Sequence, residues 1–173
     1  MKTQEFIVTA FTENQAGVLN RITAVYLRRK INIESLKVSE SSTKGISMFV
    51  ISAITTEDTI KVIVKQIKKI IEVLDVACHT PEQLITQEIA LYKVSSEVLK
   101  DSAKADKLLR STNARIIEMN QDYVVIEKTG AREEVEQLRK ELKEEDLLIQ
   151  FTRSGSVVLH RESIEDLLQN TAL

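Results

Sequence analysis

Glu5-Phe6-Ile7-Val8-Thr9-Ala10-Phe11, then Thr12-Glu13-Asn14-Gln15-Ala16-Gly17, then Val18-Leu19-Asn20-Arg21-Ile22 is the stretch on which the fold turns. The first seven residues are rich in β-branched side chains and read as a strand. The middle six are polar and end in glycine, so they read as a loop. Val18, Leu19, Ile22, Val25 and Tyr26 then fall at helical offsets, which predicts a helix to about Lys30 with Arg21, Arg28 and Arg29 largely on its wet side.

Working outward, Asn32–Ser39 alternates and is followed by Ser41-Ser42-Thr43-Lys44-Gly45 and the β-rich Ile46–Ile54, a hairpin pattern. Ile60, Ile63, Val64, Ile67 and Ile71 predict a second helix, with Thr56 as its cap. Glu72–His79 alternates again, and Pro81 closes the segment because it has no N–H for a sheet ladder. The order is strand, helix, strand, strand, helix, strand.

The same order recurs after the polar bridge Thr80–Thr86. It runs through the strand Gln87–Ser95, a weaker helix holding Ala105, Leu108 and Leu109, and the strands Arg115–Met119 and Tyr123–Lys128. A helix carrying Val135, Leu138 and Leu142 and a strand carrying Leu147, Ile149 and Phe151 complete it. The expected fold is α+β, two tandem ferredoxin-like βαββαβ domains over 1–80 and 84–160, with a carboxyl-terminal tail over 161–173 for which a short helix is one option. Each sheet would leave one face in need of cover, from another domain or a second chain.

Composition narrows the function. The chain has 173 residues, 43% hydrophobic and 29% charged, which suits a folded soluble protein. Its net charge of −2 supplies no general attraction to nucleic acid or anionic lipid. Apolar runs such as Met48–Ile51 are far short of a membrane span, and a cytoplasmic location is expected. One cysteine, Cys78, and two histidines cannot close a structural zinc shell.

No catalytic constellation stands out. Cys78 and His79 suggest a thiolate pair, but strand neighbours point to opposite faces, so a core or edge thiol is expected. His160 beside Arg161 is a candidate anion contact or a plain surface pair. Glu133-Glu134 and Glu144-Glu145-Asp146 offer carboxylates for magnesium, yet charge runs flanking helices are ordinarily solvated. Lys61, Lys65, Lys68 and Lys69 form a basic stripe whose plain reading is the wet side of a packing helix. The strand-to-helix loop ending at Gly17 is the candidate ligand site, because a helix start offers unpaired N–H groups and glycine admits close approach.

At these residues the chain resembles the small regulatory subunits of acetolactate synthase (acetohydroxyacid synthase). The likeness is carried by Glu13-Asn14-Gln15-Ala16-Gly17-Val18-Leu19-Asn20-Arg21, by Asn32-Ile33-Glu34-Ser35-Leu36 and by Ile71-Glu72-Val73-Leu74-Asp75-Val76. Gln87-Glu88-Ile89-Ala90-Leu91-Tyr92-Lys93-Val94 and Arg153-Ser154-Gly155-Ser156-Val157-Val158-Leu159-His160-Arg161 continue it.

The resemblance implies that the first domain is an ACT domain, an amino-acid sensor that dimerises and binds a branched-chain amino acid, usually valine. It implies a noncatalytic chain that activates a separate catalytic subunit. That subunit, and not this chain, would carry thiamine diphosphate, magnesium and FAD. The implied effector residues are Asn14, Gly17, Val18 and Leu19 from one subunit with Asn32 and Ile33 from the other. The chain departs from the family pattern at Lys30-Ile31, where a glycine and an aromatic are usual, and at Ser47, where an arginine is usual; the helix-to-strand turn and the pocket entrance are expected to differ. The rival readings are a stand-alone ACT-type sensor acting on a different enzyme or on transcription, and a small enzyme using the dimer cleft.

Overall fold

The computed structural model describes residues 2–99 and 108–160. They form two compact units, which divide between Ile85 and Thr86 and again between Val157 and Val158, so that the chain's last described residues belong to the first unit.

The first unit contains β1 (Gln4–Glu13), α1 (Val18–Arg28), β2 (Ser35–Glu40), β3 (Ile46–Thr55), α2 (Glu57–Ile67) and β4 (Val73–His79). The strands lie in the order β2-β3-β1-β4, each antiparallel to its neighbour. Alternation along β1 sends Phe6, Val8 and Ala10 toward α1 and α2, where they pack with Ile22, Tyr26, Ile60, Ile63 and Ile67. α2 is capped as expected, by the Thr56 hydroxyl accepting from the Thr59 N–H, with Glu57 and Asp58 at its dipole's positive end.

The opposite face of this sheet is not bare. Ile7 and Val50 are buried there against Leu84 and Val158 of the same chain, with Met48 alongside. A stretch that periodicity gave to neither sheet supplies this cover: β9 (Val157–His160) is a strand without a counterpart in the sequence reading, and it pairs with β5 (Leu84–Ser95). The expected need for another domain or a second chain is therefore met, around Ile7 and Val50, from within the unit.

The second unit repeats the pattern. β5 and β6 (Arg115–Met119), β7 (Tyr123–Gly130) and β8 (Leu148–Arg153) lie in the order β6-β7-β5-β8. α3, described over 108–112, and α4 (Arg132–Glu144) are its helices. Ala90, Tyr92, Val94, Val124 and Ile126 pack against Val135, Leu138 and Leu142. The Ala105 part of the expected weaker helix, the tail over 161–173, and Arg161 with the side chain of His160 lie outside the described residues.

Boundaries differ from the sequence reading where local hydrogen bonds outrank periodicity. β5 starts at Leu84, three residues before Gln87, because Pro81–Gln83 forms only a single tight turn closed by the Thr80 N–H donating to Gln83 Oε1 at 2.9 Å. β2 starts at Ser35, and Asn32-Ile33 lie in the connection before it. Leu19 is exposed, unlike its helix partners Val18, Ile22, Val25 and Tyr26, and Ile71 lies beyond α2 in a turn.

Three helices end in the same way without a glycine. After α1, Lys30 has φ 56°, its N–H donates to Leu27 C=O, and the Ile31 N–H donates to Tyr26 C=O. Asn113 after α3 and Asp146 after α4 repeat this double bond at φ 52° and 57°. The pattern is a Schellman closure, for which glycine is the usual residue. Lys30 thus holds a left-handed conformation for which glycine is the usual residue. A left-handed L-residue costs roughly 1–2 kcal/mol, and glycine gives back part of that through its larger entropy in the unfolded chain. Lys30→Gly is expected to stabilise the protein by roughly 0.5–1 kcal/mol, read as a higher urea midpoint; a lower midpoint would show that the lysine side chain makes a compensating contact.

Candidate functional site

The β1–α1 loop is held at its β1 end. The Glu13 N–H donates to Glu72 C=O and the Asn14 N–H to Gly45 C=O, each at 2.9 Å. Gly17 caps α1 at φ 90°, and a Cβ built on it would meet no atom within 4 Å. Its backbone angle therefore favours glycine while the space beside it stays open.

α1 and α2 differ at their starts. α2 has a threonine cap and two acidic residues in its first turn, whereas α1 has no side-chain cap bond and no acidic residue there. The first N–H groups of α1 therefore have no side-chain acceptor, and the positive end of its dipole is uncompensated, an arrangement that favours a carboxylate. Beside it, Val18 is buried and Leu19 is 41% exposed, an apolar surface at the loop's edge.

Asn32 is exposed and Ile33 is partly buried against the first core. These two residues follow the far end of α1, whose 11 residues span roughly 16 Å at ~1.5 Å each. Within one chain, then, Asn14, Gly17, Val18 and Leu19 stand together, and Asn32 and Ile33 stand at the opposite end of the helix. Next to them is β2, an edge strand with Leu36 and Val38 exposed at 37% and 43% on the side that carries the helices. Ser47 is buried in register with Thr12.

Most of the other candidates take ordinary roles. Cys78 packs at the margin of the first core and His79 is in register with Ile7 on the other face. Burial pushes the Cys78 thiol up to about 11, so it is protonated at neutral pH and a poor nucleophile. Lys61 pairs with Glu57 along α2. Glu134 accepts from the Ala131 N–H at 3.0 Å and closes the start of α4. Among the described residues no three metal-ligating side chains converge, and no helix is long and apolar enough to cross a membrane.

One cluster escaped the sequence reading. Glu88 on β5 is 1% exposed, and Arg153 Nη1 donates to both of its oxygens at 2.8 Å. Ser156 Oγ donates to Glu88 Oε1 at 2.8 Å. Ser154 closes the same loop, its N–H donating to Ile89 C=O and its hydroxyl accepting from the Ile89 N–H. The signal was present: Glu88 shares the inward phase of Ala90, Tyr92 and Val94, and a carboxylate there requires a cation.

Both units of the chain resemble known proteins. Residues 9–75 match the family described as the AHAS small subunit-like ACT domain, and residues 87–162 match the family described as the small subunit of acetolactate synthase. The acetolactate synthase small subunit of Bacillus subtilis is 31% identical, over 90% of each chain. That of Aquifex aeolicus is 31% identical, over 92% of this chain and 82% of the relative. The crystal structure of the small subunit from Thermotoga maritima superposes with a TM-score of 0.80 at 31% identity, over 93% of this chain and 99% of that one.

Proposed function

Because the chain belongs to the acetolactate synthase small-subunit family, we propose that it is a noncatalytic regulatory subunit that raises the activity of a separate catalytic chain and lowers it again on binding a branched-chain amino acid, valine foremost. The observation that carries this reading is the end-to-end match to small subunits, which spans both units. On this reading thiamine diphosphate, magnesium and FAD are held by the catalytic chain.

The geometry supports an amino acid as effector. Its carboxylate would meet the uncapped N–H groups of α1 at Gly17, and Asn14 would hold the polar end. Val18, Leu19 and Ile33 would line the apolar side. Since Asn32 and Ile33 stand at the other end of α1, the complete set requires a second copy. The edge strand β2, with Leu36 and Val38 exposed, is a surface on which two copies would pair and bring the two halves together. A ligand seated between copies changes activity only if it binds the activating and non-activating arrangements unequally.

Mixing the purified protein with its cognate catalytic chain is the test. Pyruvate condensation is expected to rise with added protein, to fall when valine is added, and to be absent with this chain alone; sedimentation is expected to give a dimer or larger species. Condensation by this chain alone would overturn the reading, and so would valine binding without any change in the catalytic chain's rate, the outcome for a sensor that serves a different enzyme.

A further inference from the structure

A groove of about 480 Å³ lies between α1 and the end of α2 with the turn that follows it. Arg21, Val25 and Arg28 of α1 line one side, and Lys69, Ile71 and Glu72, after α2, line the other. Three cations here face one carboxylate, in a chain whose net charge is −2. Arg21 is paired with Glu72 at 2.7 Å, but Arg28 and Lys69 have no ion pair among the described residues. Ile71 is 93% exposed, so the groove joins unpaired positive charge to a large apolar side chain left in water.

The groove is also tied to the β1–α1 loop. The Glu72 carbonyl accepts from the Glu13 N–H at 2.9 Å, and the Arg21 N–H donates to Gly17 C=O at 3.1 Å. Two groove residues are therefore bonded directly to the loop assigned to the effector.

We propose that this groove is the docking face for the catalytic chain, which inserts an acidic segment with an apolar anchor against Ile71, Arg28 and Lys69. The proposal rests on the regulatory function given above and names the surface through which it acts. A small anion would be served by the cations alone and would gain nothing from Ile71. Steering by opposite charge with an apolar anchor at the centre is the ordinary anatomy of a protein contact.

The test titrates the full-length protein into its catalytic chain and records the concentration giving half-maximal activation. Ile71→Glu, and separately Arg28→Glu with Lys69→Glu, are each expected to raise that concentration at least tenfold. Both are expected to leave calorimetric valine binding and the sedimentation mass as in the wild type. Salt at 0.5 M is expected to weaken the wild type more than the charge-reversed variant, because screening removes an attraction that variant has already lost. Ile71 is almost wholly in solvent, so its replacement leaves the core intact.

Unchanged activation curves for both variants would overturn the docking face while leaving the regulatory function standing. A wild type that fails to activate would overturn the function and the docking face with it. A lowered sedimentation mass for Ile71→Glu would overturn the proposal in favour of a contact between copies. Saturable phosphate binding that disappears in the charge-reversed variant, with activation unchanged, would overturn it in favour of a small-anion site.

Discussion

Gly17→Asp is expected to weaken valine binding by more than a hundredfold, about 3 kcal/mol or more. The backbone there has φ 90°, a region that costs an L-residue roughly 1–2 kcal/mol of stability with or without ligand, so the loss of binding comes from charge. The new carboxylate would also stand at the start of α1, where the effector's own carboxylate is proposed to bind; two like charges ~4 Å apart repel by ~4 kcal/mol at an effective dielectric of ~20. Crowding within the chain is not the cause, since no atom lies within 4 Å of the Cβ position. Asn14→Ala is expected to cost less, about 1–3 kcal/mol for one hydrogen bond lost with its partner left unpaired. Both variants should still activate the catalytic chain. Calorimetry with valine, run beside activation assays, checks this, and undiminished binding by both would remove the β1–α1 loop from the effector site.

Arg153→Ala is expected to be the most destabilising single change, by about 3–5 kcal/mol, because it leaves the Glu88 carboxylate buried with only the Ser156 hydroxyl. The effect should be read in urea as a lower midpoint for the second unit. Glu88→Gln added to Arg153→Ala should recover a large part of the loss, since the amide removes the uncompensated charge. If Arg153→Ala shifted the midpoint no more than an ordinary surface substitution, the pair would be making no net contribution and the loop would be held by Ser154 and Ser156.

Much of this architecture is written in short-range pattern. Alternation marked β2, β4 and β8, β-rich composition marked β1 and β3, and helical spacing marked the helices, because a helix that buries one face repeats its buried side chains with the backbone's own period, whereas β1 and β3 are buried on both faces. Ile71 shows the limit: it continues the spacing of Ile60, Ile63 and Ile67, but the chain has left α2 by Lys68, and spacing carries no information about where hydrogen bonding stops. β9 shows another. Val157–His160 is short, and what makes it a strand is its partner β5, far away in sequence.

The candidate site was legible to different degrees. Gly17 stands out because its position, between a strand and a helix, demands an unusual backbone angle. Asn32 and Ile33 carry no such mark. Their assignment comes from the family, and what the fold adds is that they cannot join Gly17 within one chain. Glu88 was legible in principle, through its phase along β5. Arg153 and Ser156 were not, since nothing local to them states which strand they will meet.

The burial of Ile7 and Val50 beneath Leu84 and Val158 has a consequence for biosynthesis. A ribosome adding ~5–20 residues per second needs roughly 4–15 s to pass from Leu84 to Val158. During that interval the first sheet has its helices but lacks part of its back cover, and Ile7, Met48 and Val50 are open to chaperones or to another nascent copy. Any fragment ending between the two units would carry that surface permanently, and its solubility should be poorer than that of the full-length chain.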